Sequence, residues 1–142
     1  MIIRPAVEQD AEAIYWLNLN GLGYDYPLES TRRRLKLILA KAGNRIFVAQ
    51  LAGRVVGYIH TADYECSYTD SLMNIMALAV DDNERGHGIG RSLLNAAEEW
   101  ARENGAAGVR LNSGMDRENA HHFYEACGYI NRKNQKNFIK RF

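Results

Sequence analysis

A chain of 142 residues, 46% hydrophobic and 25% charged, has enough apolar material for one buried core and lacks the polar, highly charged composition of a disordered segment. Eighteen Lys and Arg against seventeen Asp and Glu leave a net charge of +1, which excludes a global field for holding nucleic acid or an anionic membrane; any anion must be bound locally. Cys66 and Cys127 show neither metal-ligand spacing nor a disulfide framework, no window approaches the roughly 18 apolar residues of a membrane span, and Met1–Pro5 carries no targeting signal, so a cytoplasmic protein with no metal and no membrane partner is expected.

Met1–Arg4 reads as a short strand. Glu8, Gln9 and Asp10 then place polar and acidic groups in a first helical turn, where the helix dipole favours them, and the helix continues to about Asn20. Gly21 to Pro27, an aromatic-rich loop, breaks it. Leu35, Ile38, Leu39 and Ala42 form one apolar helical face that stops at Gly43-Asn44. Ile46–Leu51 and Val55–Ile59 flank Ala52-Gly53-Arg54 as a hairpin. Leu72–Val80 is an apolar run, interrupted by Asn74, expected to be a central strand buried on both faces.

From Ile89 the positions Leu93, Ala97, Trp100 and Ala101 keep helical spacing to Asn104-Gly105, with Glu98 and Arg102 as a surface pair. Val109–Asn112 is a short strand; Ala120, Phe123, Tyr124 and Cys127 mark a last helix ending at Gly128; residues 129–132 and 137–141 are expected as closing strands. The order is strand, two helices, three strands, helix, strand, helix, two strands. With no repeat or linker, residues 1–142 are expected to be a single domain of mixed α/β (α+β) class.

The chemistry concentrates between the apolar strand and the helix that follows it. In Arg85-Gly86-His87-Gly88-Ile89-Gly90-Arg91 glycine occupies every second position. A glycine-rich turn entering a helix offers unpaired amides and the positive end of the dipole, a phosphate site in principle, and Arg85 and Arg91 bracket it. A P-loop is excluded because no Lys-Ser or Lys-Thr follows, and the dinucleotide fingerprint because this is GxGxG after hairpin-like strands. The turn alone leaves open a purely structural role in helix packing.

Arg85-Gly86-His87-Gly88-Ile89-Gly90 resembles the RxxGxG signature of GNAT acyltransferases. Asn119-Ala120-His121-His122-Phe123-Tyr124-Glu125-Ala126-Cys127-Gly128-Tyr129 resembles the family's second block, N-x-x-A-x-x-F-Y-E-x-x-G-F/Y, in the right order after the first. The resemblance implies the GNAT fold, a central twisted, mixed, mostly antiparallel sheet flanked by helices. It implies acetyl-CoA as co-substrate, its pyrophosphate held by Arg85, Gly86, His87, Gly88, Ile89, Gly90 and Arg91 and its pantetheine arm lying along Leu78, Ala79 and Val80. Asn119 and Tyr124 would also touch the cofactor, and a backbone amide near Leu78 would face the thioester oxygen.

Tyr124 matches the position of a tyrosine suited to protonate the leaving thiolate. Some relatives carry a glutamate on the central strand, but Leu72–Val80 holds no acid. His60, Asp63 and Glu65 are the nearest alternatives, and Glu65 is taken as the candidate base. The loop between the first two helices implies an acceptor wall with Tyr24, Asp25 and Tyr26, whose rings and carboxylate suit an ammonium group. The expectation is an N-acetyltransferase acting on the primary amine of a small molecule or amino-acid-like acceptor. A protein or peptide amine, a non-catalytic acyl-CoA sensor and a homodimer are left open.

Overall fold

Five strands form one sheet in the order β1 (Ile2–Pro5), β2 (Asn44–Leu51), β3 (Arg54–Tyr64), β4 (Leu72–Val80) and β5 (Val109–Arg110), in a computed structural model that describes residues 1–142. All neighbours are antiparallel except β4 and β5, which run parallel. The helices are α1 (Ala11–Leu17), α2 (Leu28–Leu39), α3 (Ile89–Glu103) and α4 (Glu118–Ala126). The class is thus α+β with a mixed, mostly antiparallel sheet. Two compact units divide the chain, Met1–Leu111 and Asn112–Phe142, and no helix is long and apolar enough to cross a membrane.

In the first unit the hairpin forms where Ala52 and Gly53 both take left-handed conformations, φ +50° and +79°, the two-residue turn that matches strand twist. The strands then alternate their faces. Tyr58, Val48, Ile46 and Ala79 join Ile14, Leu17 and Leu35 of α1 and α2 in one core cluster. Gly57, one residue from Tyr58, turns to the other face: a Cβ on it would lie 3.1 Å from the Leu93 side chain and 3.3 Å from that of Ile89. α3 therefore packs on that face, burying Ile89, Leu93, Leu94, Ala97 and Ala101 at helical spacing. Leu93 and Leu94 contribute about 2 kcal/mol each by leaving water.

Several elements depart from expectation. The first helix changes to a π-helical turn at Asn18–Leu22, and α2 stops at Leu39. β3 runs to Tyr64 rather than Ile59, because the ladder to β2 carries it to Ala62 and the ladder to β4 carries it on to Tyr64, through His60, Asp63 and other polar side chains that disguise a strand. β4 is not buried throughout: Met76 is 57% exposed and has no partner across the ladder, since His60 pairs with Ala77 and Thr61 with Ile75. That extra residue is a bulge.

The second unit carries α4, and the closing strands expected at 129–132 and 137–141 are absent, the backbone there being irregular. The physical reason lies in the residues. Ile130, Phe138, Ile139 and Phe142 are exposed, so they form no buried face, and between them lie Asn131, Asn134 and Asn137 with five Lys and Arg, poor strand formers.

Candidate functional site

β5 pairs with β4 only at Met73 and Asn74, so from Ile75 to Val80 no strand lies along that edge. Which backbone groups face it follows from alternation. The Met73 amide donates to Gly108 O (3.0 Å), on the β5 side. Beyond the bulge at Met76, the Asp81 amide donates to Val56 O (2.8 Å), on the β3 side. Counting back by twos, the amides of Ala79 and Ala77 also face β3, and those of Leu78 and Val80 face the free edge. The bulge is what turns the Leu78 amide outward.

The chain leaves this edge through a short 3-10 turn, Asp82–Glu84. The Asp81 carboxylate accepts the Asn83 amide (3.0 Å), and Asp81 O accepts that of Glu84 (2.9 Å). Gly86 (φ +84°) and Gly88 (φ +78°) then adopt left-handed conformations that a side chain disfavours. A Cβ on either meets no atom within 4 Å. Gly88 is the N-cap of α3 and no side chain caps the first turn, so the helix begins with amides directed outward. Backbone amides presented in this way form a cradle of the kind that can hold an anion.

Charge around the cradle is organised. Arg54 donates to Asp81 (2.8 Å) and to Glu84 (3.0 Å), Arg85 pairs with Asp82 (3.0 Å), and His87 Nδ1 lies 3.8 Å from Glu84. The Arg54 guanidinium and the Asn83 amide hold the Asp81 carboxyl below its ordinary range. The expected residues Leu78, Ala79, Val80 and Arg85 to Arg91 thus form one continuous edge-to-helix path.

The turn Asn18–Leu22 approaches the same end of β4, for a Cβ on Gly21 would lie 3.5 Å from the Ala79 side chain. Beside it, the Tyr58 hydroxyl donates to Asn18 Oδ1, and burial pushes that phenol well above its usual range. Tyr24, Asp25 and Tyr26 follow this turn and are exposed. His60 bonds Asn44 (2.9 Å), and burial lowers its imidazole to about 4.

Glu65 is not brought to this place. Tyr64 pairs with Leu72 and Ile59 with Leu78, which puts Glu65 beyond the far end of the ladder, about 20 Å along the strand from Leu78. There its carboxylate accepts from Ser71 (3.0 Å). Asp63 and Glu65 share a cleft there with Trp100 and Asn104. Glu65 therefore sits at the opposite end of the β3–β4 ladder from Leu78.

In the second unit, Asn119 and Tyr124 lie on α4. Asn119 is exposed and does not cap the helix, whose N-cap is Arg117 with no side-chain cap bond. Tyr124 packs edge-on against Phe123 (5.2 Å between centroids) and against Tyr129 (5.7 Å), and burial raises its hydroxyl to about 12. Sequence reasoning missed the Met76 bulge, the Arg54 bridge and the close approach at Gly57. Only the last has a local signal, a glycine inside a strand.

The Acetyltransferase (GNAT) family model matches residues 11–129. The chain is 30% identical over 128 residues to an aminoalkylphosphonate N-acetyltransferase of Salmonella typhimurium, covering 89% of this chain and 83% of that one. It is 33% identical over 134 residues to an aminoglycoside N(6')-acetyltransferase of Stenotrophomonas maltophilia, covering 89% and 84%. An uncharacterized N-acetyltransferase of Methanocaldococcus jannaschii is 26% identical over 110 residues; the match covers 74% of this chain and about half, 47%, of that protein. Among solved structures, an aminoglycoside N-acetyltransferase in complex with CoA superposes with a TM-score of 0.88 at 16% identity, over 99% of this chain and 95% of that one, a likeness of fold. The chain belongs to the GNAT acetyltransferase family.

Proposed function

We propose that this protein is an acetyl-CoA-dependent N-acetyltransferase that moves an acetyl group to the primary amine of a small-molecule or amino-acid-like acceptor, by direct attack on the thioester. The observation that carries the reading is the free β4 edge at Ile75–Val80, which leads through Gly86 and Gly88 into the uncapped start of α3. A strand-like pantetheine arm fits the edge and a pyrophosphate fits the amides. Further support comes from the fold neighbour in complex with CoA and from two relatives named for small-molecule acceptors. The reading takes residues 1–142 as one catalytic domain, a view supported by the family match that runs through both compact units, and it places the protein in the cytoplasm.

Acetyl-CoA supplies the activated acyl group as a thioester. The Leu78 amide, directed to the free edge, is the donor suited to a developing oxyanion. Arg85 and Arg91 add charge beside the cradle, Asn119 adds a polar contact, and Tyr24, Asp25 and Tyr26 face the acceptor ammonium. The acceptor nitrogen loses its proton to water: Glu65 is remote, and His60, held at about 4, is a poor base at neutral pH. A Tyr124 phenol near 12 is a weaker acid than a thiol of about 8.5. Full proton transfer runs uphill, so Tyr124 acts as a hydrogen-bond donor to the leaving sulfur.

Free-thiol release from acetyl-CoA, measured across small amines, amine-bearing peptides and neutral alcohols, tests this. Turnover on a small amine is expected. Saturable binding without turnover on any acceptor identifies a sensor instead, and turnover on peptides alone moves the acceptor class. In the Tyr124→Phe variant kcat should fall about tenfold with cofactor KM little changed.

A further inference from the structure

We infer that Arg54 is a positioning residue for the cofactor loop: its bridge to Asp81 and Glu84 fixes the turn that presents Arg85–Gly90 and offsets one of the two negative charges they place beside the anion cradle. The inference rests on the acetyl-CoA reading above. Geometry comes first. The turn is short and its internal bonds use one Asp81 oxygen and its carbonyl, accepting from Asn83 and Glu84. The other Asp81 oxygen is held by one Arg54 nitrogen (2.8 Å) and Glu84 Oε1 by the second (3.0 Å). One guanidinium therefore ties both ends of the turn together. Arg54 is itself placed by the Ala52-Gly53 hairpin and by its pairing with Leu51, so the turn is referred to the sheet.

Electrostatics is the second argument. Asp81, Asp82 and Glu84 stand within four residues before Arg85, where unpaired carboxylates repel a pyrophosphate and compete with it for Arg85, which already contacts Asp82. With Arg54 in place, Asp81 and Glu84 are occupied. The Arg54 side chain is 58% exposed, and an ion pair so exposed adds little to stability. The bridge therefore has its consequence in placement and local charge.

Calorimetric titration of the full chain with CoA, alongside steady-state kinetics, separates this from a merely structural role. Arg54→Met should weaken CoA binding and raise acetyl-CoA KM about threefold, as expected when one cation's attractions to two phosphates at roughly 8 Å are lost after screening, with kcat within about twofold and an unchanged melting temperature. Arg54→Lys should recover part of the loss. Adding Glu84→Gln to Arg54→Met removes one repelling charge without restoring the bridge, and should recover affinity, with a flatter salt dependence. If Arg54→Met binds CoA like wild type, or Glu84→Gln recovers nothing in that background, the inference is overturned alone. If the wild-type chain binds no CoA, the acetyltransferase reading falls with it.

Discussion

β4 is closed at one end and open at the other, and the two ends are built from different chemistry. At the closed end Met73 and Asn74 lie between β3 and β5, and side chains secure the junction: Arg110 donates to Asn74 Oδ1 with its guanidinium 4.2 Å over the Tyr64 ring, and Ser71 holds Glu65. At the open end, Ile75–Val80, the outward groups are the amides of Leu78 and Val80, and the path continues through left-handed glycines. A side-chain junction tolerates exchange wherever shape and bonds are replaced. An edge offering its backbone depends on conformations that few residues can adopt.

The sharpest way to break this contrast is Gly88→Val. Its φ of +78° is strained for a β-branched residue by about 1–2 kcal/mol, and relaxing it turns the first amides of α3 away, so CoA affinity should fall about a hundredfold. Isothermal titration measures this; wild-type affinity would remove the cradle from the argument. Gly57→Ala tests the same end from beneath. The added Cβ would meet Ala79 O and the Leu93 side chain at 3.1 Å and Ile89 at 3.3 Å, overpacking that should cost about 2 kcal/mol in urea unfolding. Because Ile89 opens α3, cofactor KM should rise as well. A destabilised variant with unchanged KM would show that α3 can shift without disturbing the cradle.

The open end was legible in the residues because its requirements are local. Alternating glycines before an apolar periodicity announce left-handed turns entering a helix, and α3 lies where Leu93, Ala97 and Ala101 place it. The bulge was not legible: Met76 sits in an apolar run where any residue could be the unpaired one, and the choice is made by the register of β3, some fifteen positions away. The place of Glu65 was hidden for a related reason, since its distance from Leu78 depends on β3 continuing to Tyr64 through polar residues. Arg54 finds its acids 27 and 30 positions on, beyond any local pattern. The C-terminal strands were inferred from scattered apolar residues that the fold leaves exposed.

His60 stands just past the bulge, opposite Ala77, where the paired and free segments of β4 meet. Burial holds its imidazole at about 4, against about 6.5 in the unfolded chain. Between those values the unfolded state takes up a proton that the folded state refuses. Stability is therefore full above pH 6.5 and declines as pH falls toward 4. Unfolding free energies from urea titrations at pH 7 and pH 5 should differ by about 1–2 kcal/mol more in wild type than in His60→Gln. Equal slopes for the two proteins would mean that His60 is solvated and that this junction breathes.

The smallest expected effect belongs to the closed end, and it gives the comparison its control. Arg110→Met keeps an apolar stem against Tyr64 but removes the bond to Asn74 and the charge over the ring. A partly exposed cation–π contact and one hydrogen bond together are worth about 1 kcal/mol, so chemical unfolding should register a loss of that size. Acetyl-CoA KM and kcat should stay at wild-type values, because Arg110 pairs across from Asn74, four residues before Leu78 and on the opposite side of the bulge. A variant that lost cofactor affinity in step with stability would mean that closing one end of β4 is what holds the other end open, and the two ends would have to be treated as a single device.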